Sequence, residues 1–211
     1  MATMSDPLRQ ACDAMFHALR EMDRECPTGL CDYVSCSPYA GKKGKDEAAI
    51  TWGVTRHLQE SFSIEQAEHG YTRTKRRCDR VVELSDSSKV WLEFKNAWRR
   101  WFYGQVNNNN PFFYESYFLG PEHGPDKGRT HSVAQDLVKL EAVPATDASY
   151  VGLLIVGFDG KDAQMVADMD RLAQLERLAS RGWQVEAAEP WTAKQSTECW
   201  HRCWFWWRHV G

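Results

Sequence analysis

Asp79, Glu93 and Lys95 stand out in this 211-residue chain because of the segment that holds them. Cys78–Lys95 reads C-D-R-V-V-E-L-S-D-S-S-K-V-W-L-E-F-K, an alternation with the period of β-strands. Two strands are predicted, Thr72–Leu84 and Lys89–Lys95, joined by the polar turn cluster Ser85–Ser88. Val82, Leu84, Val90, Leu92 and Phe94 then form a core face, which puts Asp79, Glu93 and Lys95 together on the other. A one-residue slip would invert a strand, so an odd-length connection is expected. With Leu84 facing Val90, Asp79 would stand opposite Lys95 and Val81 opposite Glu93.

Two carboxylates suit a hard divalent cation such as Mg²⁺ or Mn²⁺, which takes oxygen ligands and retains waters beside a substrate phosphate. Such an ion polarises a phosphate oxygen and lowers the pKa of bound water. A lysine two residues beyond the glutamate can orient that water or neutralise charge building on the phosphate. The alternative for the same residues is a solvated hairpin with a surface salt bridge, worth about 0–1 kcal/mol. A preceding helix, Asp46–Glu60, adds a fourth candidate. Ile50, Val54 and Leu58 form its apolar stripe and Glu47 falls on that stripe, whereas Glu60 points away.

The spacing of Asp79 from Glu93-Phe94-Lys95 resembles the PD-(D/E)XK nuclease superfamily. R-R-C-D-R-V-V-E-L followed by K-V-W-L-E-F-K is similar to its central hairpin, with Cys78 where proline often precedes the first acid. The resemblance implies that Asp79 and Glu93 bind Mg²⁺ or Mn²⁺, that Lys95 serves the water, and that Glu47 assists the metal. The activity implied is hydrolysis of DNA phosphodiesters; restriction, defence and repair are all compatible with it, and a homodimer would allow both strands to be cut. The contrasting expectation is a catalytically silent module of the same fold that holds nucleic acid or a protein partner.

The elements that must position these residues run α, β, β, α, β, α, β. Helices are expected at Pro7–Cys26, Asp46–Glu60, His131–Val143 and Asp162–Arg181, the last stopped by Gly182. Cys31–Gly44 reads as loop, Tyr150–Phe158 as a buried strand, and Trp183–Ala188 and Glu198–Arg208 as final strands. The fold class expected is α/β: a restriction-endonuclease-like mixed sheet flanked by helices, with an αβββαβ core. One domain, 1–211, is expected, with that core at about 46–158. An N-terminal helical elaboration would span 1–45, and a helix with Trp-rich strands 159–211. Ser61–Thr74 would have to supply the first core strand.

Basic groups flank the proposed site in sequence: Lys42, Lys43 and Lys45; Arg73, Lys75 and Arg77; Arg99 and Arg100. They could touch phosphates or simply face solvent. The aromatic, Asn-rich stretch Trp98–Phe118 could stack bases or pack a core. A formal charge of −3 argues against non-specific coating of nucleic acid but not against a local basic cleft. No apolar run reaches membrane-span length and the first residues carry no leader pattern, so a soluble cytoplasmic protein is expected. Seven cysteines are too few for a disulfide scaffold, and most are expected as thiols. Cys26, Cys31 and Cys36, and the face shared by Cys199, His201 and Cys203, lack the close pairs typical of zinc sites but keep zinc open.

Overall fold

The computed structural model describes residues 3–66, 78–98, 132–175, 178, 180–194 and 196–211. Its centre is a seven-stranded open sheet, mostly antiparallel, ordered β1-β2-β3-β4-β7-β5 with β6 also paired to β7. These strands are β1 (Ser63–Gln66), β2 (Arg80–Glu83), β3 (Lys89–Trp98), β4 (Tyr150–Asp159), β5 (Gln184–Ala187), β6 (Trp191–Ala193) and β7 (Ser196–His209). Parallel pairing occurs between β3 and β4. Parallel neighbours need a crossover, and α3 (Val133–Leu140) lies in the connection.

Helices cover both faces. On one side α1 (Asp6–Glu25), a 3₁₀ segment (Leu30–Cys36) and α2 (Asp46–Leu58) pack on Val82, Leu84, Val90, Leu92 and Phe94. On the other, α3 and α4 (Gln164–Ala173) pack on Val81, Trp91, Leu153, Ile155, Trp204 and Trp206. Burial on both faces explains the nearly unbroken apolar run of β4, in which Val151 and Leu153–Val156 are fully enclosed. Trp204, Trp206 and Trp207 of β7 are buried core residues, as is Trp183 just before β5.

Several boundaries differ from the sequence expectation. The predicted loop after Cys31 includes a 3₁₀ segment, held by i→i+3 bonds such as Asp32 N to Gly29 O, and Cys26 and Cys36 are joined as a disulfide. α4 ends at Ala173 rather than Arg181, where Leu175 N bonds Leu172 O in an i→i+3 turn; Leu178 again has helical backbone. A further short strand, β6, forms because the 14-residue β7 is long enough to carry β5 and β6 end to end. β3 runs three residues beyond Lys95. The first part of the predicted strand Thr72–Leu84 lies outside the described residues.

Gly157 on β4 shows how closely the layers meet. A Cβ there would stand 2.6 Å from Arg202 O and 2.5 Å from Met165 Sδ. The carbonyl is pinned in the β4–β7 ladder and cannot yield. Gly157→Ala is therefore expected to lower stability by about 1–3 kcal/mol, read from the urea midpoint at constant slope.

Candidate functional site

The β2–β3 register pairs Arg80 with Leu92, Val81 with Trp91, Val82 with Val90 and Glu83 with Lys89. Five residues, Leu84–Ser88, therefore connect the strands, an odd number as expected. The pairing is displaced by two residues, so Asp79 stands level with Glu93 instead of Lys95. The turn decides this: Ser87 adopts a φ of 64°, Leu84 N donates to Ser88 O, and Asp86 Oδ1 accepts from Ser88 N. A shift of two leaves the faces unchanged. Trp91, Glu93 and Lys95 point to the α3 side of the sheet, opposite Leu92 and Phe94.

Asp79 sits just before β2, where its backbone N–H donates to Leu92 O at 3.1 Å. Its Oδ2 accepts from Phe94 N at 2.9 Å. Loss of hydration raises its pKa above the usual carboxylate range, an effect that the Phe94 N–H and Lys139 only partly offset. The Cys78 thiol is pushed up to about 12 by burial, with Glu93 and Asp79 adding to the rise.

Glu93 and Lys95 are both buried, and α3 supplies their partners. Lys139 Nζ donates to Glu93 Oε1 at 2.6 Å, and Lys95 Nζ lies 2.9 Å from Asp136 Oδ2. The pairing is crosswise, 93 with 139 and 95 with 136. α3 begins at a capping box, in which Ser132 Oγ accepts from Gln135 N and Gln135 Oε1 from Ser132 N. Val133, Ala134, Leu137 and Leu140 hold the helix on the sheet. Sequence reasoning missed Asp136 and Lys139. A signal existed: Asp136 is three residues after Val133 and four before Leu140, a carboxylate on an apolar stripe, as with Glu47.

Glu47 arrives from the opposite face of the sheet. It lies in the first turn of α2, where a carboxylate is favoured by the helix dipole. Thr51 Oγ1 donates to Glu47 O, Thr55 Oγ1 to Thr51 O, and Arg80 Nε to Thr55 Oγ1, a chain that docks α2 onto β2. Glu47 Oε2 accepts from Asn96 N at 3.3 Å and stands 3.9 Å from Lys95 Nζ. Its side chain is 47% exposed. The carboxyl end is nevertheless poorly hydrated, and this raises its pKa against the pull of Lys95.

The structure thus brings Glu47, Asp79, Glu93 and Lys95 into one neighbourhood and adds Asp136 and Lys139. Four carboxylates meet two ammonium groups. Among the described residues, however, three of these carboxylate oxygens do not close into a tight trio. The group whose donor atoms all lie within 4.8 Å of one another is elsewhere: Cys31, Cys199 and His201. Lys42, Lys43 and Lys45 are exposed just ahead of the α2 turn that carries Glu47. Arg73, Lys75, Arg77, Arg99 and Arg100 lie outside the described residues, as does most of Trp98–Phe118. No helix among the described residues is long and apolar enough to cross a membrane.

Comparison of the chain with protein families, with curated proteins and with solved structures gives no match. The class that the fold defines is accordingly the coarse one: a mixed α/β protein built on an open, mostly antiparallel sheet.

The raised Asp79 pKa has a signed consequence. The folded state holds this proton to higher pH than the unfolded chain does. The stability it contributes is therefore complete below the ordinary aspartate range and lost as pH rises through the folded pKa. Asn at this position keeps an acceptor for the Phe94 N–H without the charge. Asp79→Asn is expected to equal or exceed the wild type in stability at pH 8, the gain shrinking towards pH 4, as measured by urea unfolding across that range.

Proposed function

We propose that this chain hydrolyses DNA phosphodiester bonds with the help of Mg²⁺ or Mn²⁺, and that its sheet is of the restriction-endonuclease type. The observation that carries the reading is the meeting of Asp79, Glu93, Lys95 and Glu47 at one place, reached from both faces of the sheet. The run α2-β1-β2-β3-α3-β4, with β3 and β4 parallel, supports the finer fold by matching the order that the motif resemblance implies.

The donor set suits a hard cation. With all six groups ionised the cluster carries an excess of negative charge, and burial, with a smaller contribution from neighbouring carboxylates, raises the pKa values of Asp79 and Glu47, a cost that a bound cation would offset. Asp79 and Glu93 would hold the ion, with Glu47 assisting. The ion would supply a polarised phosphate oxygen and a water of lowered pKa. Asp136 holds Lys95 in a fixed direction through their 2.9 Å ion pair, so that Nζ would donate to the attacking water or to a phosphate oxygen. Lys139, bound to Glu93, offers a second cation to the substrate. Lys42, Lys43 and Lys45 are candidates for contacting flanking phosphates, and a homodimer would allow both strands to be cut.

A second reading has its own observation. Lys139 and Asp136 satisfy Glu93 and Lys95 within the fold, so the charges can rest without an ion. A module that binds nucleic acid or a protein partner without catalysis would look the same. Incubation of plasmid DNA with Mg²⁺ or Mn²⁺ separates the two. Nicking is expected from the wild type, with Glu93→Gln and Lys95→Ala each about 10²–10³-fold slower. Cleavage equal in all three, or absent from the wild type, rejects the nuclease. DNA retained without any cleavage favours the binding module.

A further inference from the structure

We infer that Cys31, Cys199 and His201 form a binding site for a thiophilic divalent cation, of which Zn²⁺ is the expected one, remote in chemistry from the carboxylate cluster. Their donor atoms all lie within 4.8 Å of one another. Cys31 belongs to the 3₁₀ segment, while Cys199 and His201 are alternate residues of β7 facing it. Both β7 residues are completely buried, and Cys31 is partly exposed. The Cys31 and Cys199 sulfurs are 3.3 Å apart. A tetrahedral ion with Zn–S bonds of about 2.3 Å separates two sulfurs by about 3.8 Å, so a shift of roughly half an ångström admits it.

His201 is the independent observation. Its Nε2 stands 3.2 Å from Asp23 Oδ1, whereas its Nδ1 is buried with no hydrogen-bond partner. An imidazole anchored by a carboxylate through one nitrogen, with the other nitrogen bare, is the arrangement of a metal-ligating histidine. Asp23 is itself held, by Leu30 N at 2.7 Å and by Trp191 Nε1 at 3.3 Å, and so fixes the ring. A disulfide between Cys31 and Cys199 would leave Nδ1 unsatisfied in the interior. A cation satisfies it, and two thiolates cancel its charge within a buried site. The fourth position is left to solvent or a small ligand on the Cys31 side. The bound ion ties the 3₁₀ segment to β7, and Asp23 of α1 joins the staple through its hydrogen bond to His201.

The test uses the full chain, reduced and freed of metal by chelation, and titrated with Co²⁺ alone and Zn²⁺ alone. One equivalent of Co²⁺ is expected to give the intense absorption of a tetrahedral thiolate complex, which the carboxylate cluster cannot produce and which Zn²⁺ abolishes. Zn²⁺ should raise the thermal midpoint by several degrees. Cys31→Ser, at a partly exposed position that tolerates the change, and Cys199→Ser are expected to weaken uptake at least about 100-fold. Asp23→Asn should weaken it about 10–100-fold. Cys203→Ser, a buried thiol on the same face of β7, should bind as the wild type does. No uptake by the reduced wild type overturns the assignment, as does equal uptake by Cys31→Ser. Uptake that disappears when Cys26 and Cys36 are both replaced by Ser also overturns it, because the thiols of that disulfide would then be the ligands.

Discussion

Two ion pairs buried between α3 and β3, Lys95 with Asp136 and Glu93 with Lys139, constrain the rest of the molecule. A buried charge without its partner costs about 3–5 kcal/mol, so neither strand nor helix can shift along the other without exposing that penalty. α3 must therefore lie where its Asp136 and Lys139 meet residues two apart on β3. Its capping box and apolar stripe put it there. That placement fixes the crossover connecting β3 to β4, and with it the parallel pair at the centre of the sheet.

The same pairs shape what the site can do. Lys95 keeps little solvent and is held between Asp136 and, at longer range, Glu47. An ammonium so placed is held in one direction. Asp79 differs from Glu93 in that its Oδ2 is held by a backbone N–H instead of a lysine, and hydration lost on folding leaves it reluctant to ionise. The cluster is thus asymmetric: Glu93 and Asp136 pair closely with ammonium groups, Glu47 meets Lys95 only at longer range, and burial leaves Asp79 and Glu47 with raised pKa values.

Much of this was legible in the sequence because strand alternation leaves little freedom. Val82, Leu84, Val90, Leu92 and Phe94 define one face, and Asp79, Glu93 and Lys95 then share the other in any odd-length register. The pairing itself was not legible. It depends on Ser87 entering the left-handed region and on Asp86 closing the turn, choices among near-equal turns that composition does not resolve. Asp136 and Lys139 lay within an expected helix, yet their role depended on which strand residues the crossover would bring beneath them.

The chain alone determined its periodicities: which residues face a core, where helices begin, and which charged groups must share a side, because those follow from local backbone geometry. Only the tertiary structure decided the meetings across long separations. Glu47 reaches Asn96, Asp136 reaches Lys95, and Cys31 and Asp23 meet Cys199 and His201 on the last strand. Such contacts depend on how layers stack and how crossovers run. Those are set by the summed burial of many side chains, not by the residues that happen to meet.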